Sequence, residues 1–134
     1  MTDKFDSAKV QLPDGRITYD AVKLAAIPTE GVFLRDCQNH VILVRTANTN
    51  YRFVCIDGKV LGLATKDDGS VPKYLAQETE VNIHGSTWGG SMIKIEYVGV
   101  DMYLQFSYEG HPKSIHTSLI ENVRVAPIIA CEAA

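Results

Sequence analysis

The segment of this chain best equipped for chemistry is His84-Gly85-Ser86-Thr87-Trp88-Gly89-Gly90-Ser91. Its glycines free the backbone to take positive φ and leave amide N–H groups open, and the single tryptophan of the chain sits among them without bulky neighbours. Such a loop can cup an anion with its amides or lay an indole against a planar ligand. No lysine follows the glycines at the P-loop spacing and both flanks read as strands, which excludes nucleotide-phosphate binding of that kind. The residues expected to bind a ligand are His84, Trp88, Gly89 and Gly90, with His116 and Tyr103 brought alongside. The plainer expectation for the same loop is a wide hairpin whose Trp88 closes one end of a barrel.

His111 and His116 flank Pro112, a spacing that suits a metal ion only if a third ligand such as His84 joins them across the fold. Histidines at turns and strand ends commonly hydrogen bond a carbonyl, and no metal or other cofactor is expected. Cys37, Cys55 and Cys131 are odd in number, widely spaced and without a C-x-x-C pair, which reads as buried or idle thiols rather than a disulfide framework or zinc ribbon. Three pairs have the residue types for nucleophilic or acid–base work: Cys55 with a histidine, Ser118 with His116, and Glu96 with Glu109. None lies in a G-x-S-x-G, H-E-x-x-H or G-x-G-x-x-G context, so catalysis is not the first expectation. An enzyme built on this chain would use a barrel mouth where His84, Trp88 and His116 converge.

These residues need a frame. The chain has 134 residues, 46% hydrophobic and 22% charged, with 13 Lys plus Arg against 16 Asp plus Glu. That length makes one domain spanning residues 1–134, large enough to fold round its own core without a disulfide or metal. Collagen-like, disulfide-dense and disordered chains need compositional biases absent here. No apolar run approaches the roughly 20 residues of a spanning helix, so no membrane partner is expected. The polar, mixed-charge start from Met1 to Ser7 is unlike a signal peptide, which places the chain in the cytoplasm. A net charge of −3 with scattered cations lacks the footprint for duplex DNA. Single strands stacked on Tyr103 beside Arg45, Arg52 and Lys94 meet the same electrostatic objection.

Val, Ile, Thr, Tyr, Phe and Trp make up about a third of the chain, and these types favour pleated, half-buried surfaces. Ile93, Ile95 and Tyr97 alternate with Lys94 and Glu96, while Met102, Leu104, Phe106 and Tyr108 alternate with Tyr103, Gln105 and Ser107. Residues 92–98 and 102–108 therefore read as a hairpin across Gly99-Val100-Asp101. Residues 51–56 and 59–64 pair across Asp57-Gly58, a type I′ signature. Residues 41–46 form a near-continuous apolar run, as a strand buried on both faces does. Val10 and Leu12 lead through Pro13-Asp14-Gly15 to Ile17 and Tyr19, a further hairpin. Residues 20–27 read as strand or short helix ended by Pro28, and 70–77 as a short helix with Ser70 as N-cap and Pro72 in its first turn. Residues 80–84 and 120–125 complete an all-β, mostly antiparallel fold of about nine strands with one short helix, a closed or partly open β-barrel or a β-sandwich.

Residues 126–134 form an apolar C-terminal tail whose Ile128 and Ile129 would each forgo on the order of 1.5–3 kcal/mol if left in water. They are expected to dock on this chain's own sheet or on a second copy. Gly85–Gly90, the 92–108 strands and His116–Val125, with Thr117-Ser118 ahead of the last strand, resemble small uncharacterised bacterial β proteins of mobile gene cassettes and phages. That resemblance implies a bacterial cytosolic protein and carries no mechanism. The expected function is a non-catalytic binding or assembly module, self-associating as a homo-oligomer, a dimer first, through Ile128 and Ile129. The alternatives are a small-molecule-binding barrel with a pocket near Trp88 and a small enzyme using His84 and His116.

Overall fold

A computed structural model of the chain describes residues 27–90, 92–111 and 113–128. Eleven strands are found among them: β1 (Ile27–Thr29), β2 (Gly31–Phe33), β3 (His40–Arg45), β4 (Thr49–Ile56), β5 (Lys59–Lys66), β6 (Thr79–Thr87), β7 (Lys94–Ile95), β8 (Tyr97–Gly99), β9 (Tyr103–Ser107), β10 (Ile115–Leu119) and β11 (Asn122–Pro127). Every ladder is antiparallel. Hydrogen bonding runs β1–β11–β3–β4–β5–β6–β9–β10, with β7 added to β6 and β2–β8 forming a ladder of their own. Among the described residues no helix is long and apolar enough to cross a membrane.

Local chemistry accounts for much of this. Asp57 and Gly58 take φ of 55° and 73°, the two left-handed positions that a type I′ turn needs, and join β4 to β5 in full register. Val41, Ile42, Leu43 and Val44 are all buried, so the apolar run becomes the interior strand β3 between β11 and β4. Ile42, Val44 and Phe53 turn to the main core, where they meet Ile83, Leu104 and Phe106 from the other end of the sheet. Val41, Leu43, Val54 and Ala126 pack together as a second cluster. β6 links the two ends because it is long enough to pair with β5 at Thr79–Val81, with β7 at Gly85 and Ser86, and with β9 along Asn82–Thr87.

The all-β, antiparallel expectation holds. Among the described residues the sheet does not close into a barrel: its path ends at β1 and β10, which do not pair, and Pro28 within β1 lacks the N–H that a further ladder would require. Three finer expectations are corrected. Residues 92–98 and 102–108 do not form a hairpin. Glu96 takes φ of 55° and splits the first run, so that β7 joins β6 while β8 joins β2, where Tyr97 meets Phe33 at 4.8 Å between ring centroids. The alternation of the second run holds, with Leu104 and Phe106 buried in β9. Residues 70–77 are not helical, and among the described residues the one helical turn is a 3-10 turn at Leu34–Asp36. Leu75 instead takes φ of 60°, drops its side chain into the core and accepts the Ala64 N–H at 2.8 Å. A partly buried ion pair of Arg52 with Glu78 at 3.1 Å holds the end of the same connection. Finally, β1, β2 and β10 raise the strand count above nine. The hairpin expected around Pro13-Asp14-Gly15 and most of the ambiguous 20–27 stretch lie outside the described residues.

A helix at 70–77 would tolerate alanine at position 75, whereas a core plug would not. Leu75→Ala is expected to lower the unfolding free energy by about 2–5 kcal/mol, read as a shift in the urea midpoint at constant slope.

Candidate functional site

β6 pairs Ile83 with Phe106 and Gly85 with Gln105, which leaves His84 as an extra residue in the ladder, a β-bulge. Gly85 permits it. Its φ of 143° lies where side chains are disfavoured, and a Cβ there would collide with the Lys94 carbonyl, where β7 closes on β6. The bulge brings the His84 ring beside Gln105 and Ser107, which alternate with the buried Leu104 and Phe106 and so occupy the opposite face of β9.

Three hydrogen bonds follow across three strands. His84 Nε2 stands 2.9 Å from Ser107 Oγ, and Gln105 Nε2 stands 3.0 Å from His84 Nδ1. Gln105 Oε1 stands 3.0 Å from Nε2 of His116, its cross-strand partner on β10. In this orientation His116 donates to Gln105, the Gln105 amide donates to His84 Nδ1, and His84 Nε2–H donates to Ser107. The row Ser107–His84–Gln105–His116 therefore satisfies each member internally.

The same face also carries exposed apolar side chains. Ile95 pairs with Gly85 and is 69% exposed; Tyr103 and Leu119 pair with each other and are 36% and 40% exposed. Trp88 is 69% exposed and so does not close the end of a barrel. Thr87 Oγ1 accepts the Gly89 N–H at 3.1 Å and donates to the Gly90 carbonyl at 3.2 Å, folding Trp88–Gly90 into a tight bend. A Cβ on Gly89 would lie 3.7 Å from Tyr103 Cε2, which sets the bend against that tyrosine.

Of the expected site residues, His84 and His116 are thus joined through Gln105, while Gly89 and Tyr103 meet at the end of the same face, next to the exposed Trp88 and Gly90. The 84–91 segment is not a loop throughout, since β6 continues through Thr87. Gln105 and Ser107 are not among the site residues the sequence points to. Their signal was only that they occupy outward positions on β9; which histidines they meet depends on the ladder register. Three open grooves of about 320, 360 and 540 Å³ are lined by other residues than Trp88. Ile128 packs against the second cluster and donates its N–H to the Asn39 carbonyl at 2.8 Å, while Ile129 lies outside the described residues.

Of the remaining pairs only Cys55 and His40 stand opposite each other, on β4 and β3, with the thiol buried. His111 bonds the Lys113 carbonyl and packs on Tyr74 and Tyr108, and His40 bonds the Gln38 carbonyl. Among the described residues no group of three or more His, Cys, Asp or Glu side chains is placed to hold a metal ion. Ser118 makes no hydrogen bond with His116, and Glu96 and Glu109 line different grooves. Arg45 is paired with Asp67 and Glu121, and Arg52 with Glu78, so neither arginine is held open for a phosphate chain. Burial pushes the Cys55 thiol up to about 12, with a smaller contribution from Cys37, whose own value burial and then Asp36 raise. No protein-family model, no curated protein and no solved structure matches this chain.

Two tests follow from this geometry. Gly85→Ala is expected to cost about 1–3 kcal/mol and to displace the His84 ring resonances in a two-dimensional NMR spectrum, because the bulge cannot keep its backbone. In a Cys131→Ser chain, Cys37 and Cys55 should resist a chromogenic disulfide reagent at about pH 8 until urea unfolds the protein. The unfolded Cys55 thiol ionises near 9.0 while the folded one keeps its proton to about 12, so the stability this group contributes is present below 9.0 and falls across that window.

Proposed function

We propose that the protein is a binding and assembly module that pairs with a second copy of itself through the exposed apolar side chains of the outer face of β6, β9 and β10, leaving the Ser107 end of that face uncovered. The observation that carries this reading is the number of exposed large apolar side chains on and beside that face: Tyr103 and Leu119 paired across β9 and β10, Trp88 in the adjoining bend, Met92 two residues beyond it, and Ile95 on the other side of β6. Elsewhere among the described residues only Ile27 and Val71 are comparably exposed, and singly. Isolated apolar residues on a surface are ordinary, whereas a contiguous patch marks an interaction site.

A second copy suits the patch for two reasons. None of its five residues is charged, so a two-fold axis through it sets no like charges against each other. The patch also continues to Leu119 on β10, whose outer edge is unpaired among the described residues, and a second β10 running antiparallel would satisfy that edge. An open face suits a protein partner better than a small ligand, which gains more from a concave cleft. With Ile128 packed on its own sheet, the reading moves the interface from the tail to this face. We read the bent sheet as a partly open, sandwich-like wrap, and the chain as a bacterial cytoplasmic protein; the two buried free thiols suit a reducing compartment.

Light scattering at about 10 μM is expected to return twice the chain mass of 14.8 kDa. Ile95→Asp with Leu119→Asp should return the single mass with unchanged circular dichroism. A wild-type mass of 14.8 kDa at ten times that concentration would sink the reading, and quenching of Trp88 by a small molecule without change in mass would favour a ligand site in its place.

A further inference from the structure

Beyond assembly, we propose that Ser107 is a nucleophile toward small acyl esters, with His84 as its general base, Gln105 as the residue that positions His84, and Asn82 as the donor to the developing oxyanion. The signature of an activated hydroxyl is a nucleophile and base within hydrogen-bond reach, the base held in turn by a third group. Ser107, His84 and Gln105 meet it, at 2.9 Å and 3.0 Å. Asn82 is the cross-strand partner of Ser107, which places the two side chains on one face within about 5.5 Å at Cβ. Both line an open groove of about 540 Å³ shared with Tyr108, His111 and Lys113, room for a small ester over the hydroxyl.

The ladder register agrees with the distances. His84 follows the buried Ile83 and so faces outward beside the Asn82–Ser107 pair, and at the bulge it shares the place opposite Gln105 with Gly85, within reach of both Gln105 and Ser107. Re-aiming a side chain is a recurrent use of bulges beside active sites.

The direction of the hydrogen-bond row decides reactivity. With the Gln105 amide nitrogen toward His84 Nδ1, His84 carries its proton on Nε2 and donates to Ser107, a resting state. When the amide turns over, Gln105 Oε1 accepts from His84 Nδ1–H, its nitrogen donates to His116 Nε2, and His84 Nε2 accepts the Ser107 hydroxyl proton. Every bond of the row survives the reversal, because hydroxyl, imidazole and amide each offer a donor and an acceptor. His116 is the terminal partner that allows it.

In the reactive direction Ser107 Oγ adds to the ester carbonyl carbon and its proton passes to His84 Nε2. The carbonyl oxygen takes the negative charge beside the Asn82 amide. The bond from carbon to the alcohol oxygen then breaks, and the leaving alcohol takes the proton from His84, leaving acyl-Ser107. Water adds to that acyl group while giving a proton to His84, and collapse returns the proton to Ser107 Oγ and releases the carboxylic acid.

The test uses the intact chain with p-nitrophenyl acetate. The expected result is a burst of p-nitrophenol and one acetyl group mapped to Ser107 by peptide mass spectrometry, absent in Ser107→Ala. His84→Asn should slow the burst by about 10²-fold or more, Gln105→Leu should slow it too, and Gln105→Glu should restore it, since a carboxylate also holds Nδ1–H. Restoration separates positioning from a merely structural role, and melting temperatures of all variants check the fold. Absence of acetyl at Ser107 in the wild-type chain overturns the proposal, as does an equal burst in His84→Asn. If Ser107→Ala fails to fold, labelling of wild-type Ser107 by a fluorophosphonate decides alone: no label, no nucleophile.

Discussion

Phe53 on β4 and Phe106 on β9 meet edge to face, 6.2 Å between ring centroids, and both are fully buried. The contact joins strands that stand far apart along the hydrogen-bonded path, so it bends one sheet back on itself instead of leaving it flat. Tyr51 extends the cluster, stacked on Phe53 at 5.9 Å and tilted edgewise to Phe106 at 6.3 Å. Aromatic pairs of this kind add roughly 0.5–1.5 kcal/mol each to the burial of their surface. Around them Ile42, Val44, Ile83, Leu104 and Val123 complete a core drawn from both ends of the sheet.

The outer face depends on that inner one. Because Leu104 and Phe106 are committed to the core, period-two geometry turns Tyr103, Gln105 and Ser107 outward with no freedom to slip by one residue. β10 follows, with Ile115 and Thr117 inward and His116 outward against Gln105. The polar row and the apolar patch are thus held by packing on the other side of the strands that bear them. Gly85 is the one irregularity in the row, since the bulge it allows puts both His84 and Gly85 opposite Gln105.

The connection between β5 and β6 shows how tertiary demands override local preference. Ser70, Pro72 and the residues after them have the signals of a helix start, yet Asp68 accepts the Ser70 N–H at 2.9 Å and Leu75 leaves helical φ to fill space beside Phe53 and Gly62. Burying one leucine outweighs a single turn of helix too short to nucleate alone. The split of the 92–98 run has the same origin. Its alternation is real, but Tyr97 finds Phe33 and the β2 backbone, and Glu96 takes a left-handed φ to let it.

The alternation of apolar and polar residues, the Asp57-Gly58 turn and the apolar run of β3 determined without further help that the chain is antiparallel β, since each is a constraint between near neighbours. The residues worth attention around His84, Trp88, Tyr103 and His116 were legible for the same local reason. Which strands pair, that the path ends open at β1 and β10, and that Gln105 stands between two histidines with Ser107 beside one of them were decided only by the folded sheet. Those facts depend on register between separate strands, 11 residues apart for Gln105 and His116 and 21 for His84 and Gln105, and a register is chosen by how the buried faces fit, which no short stretch of sequence contains.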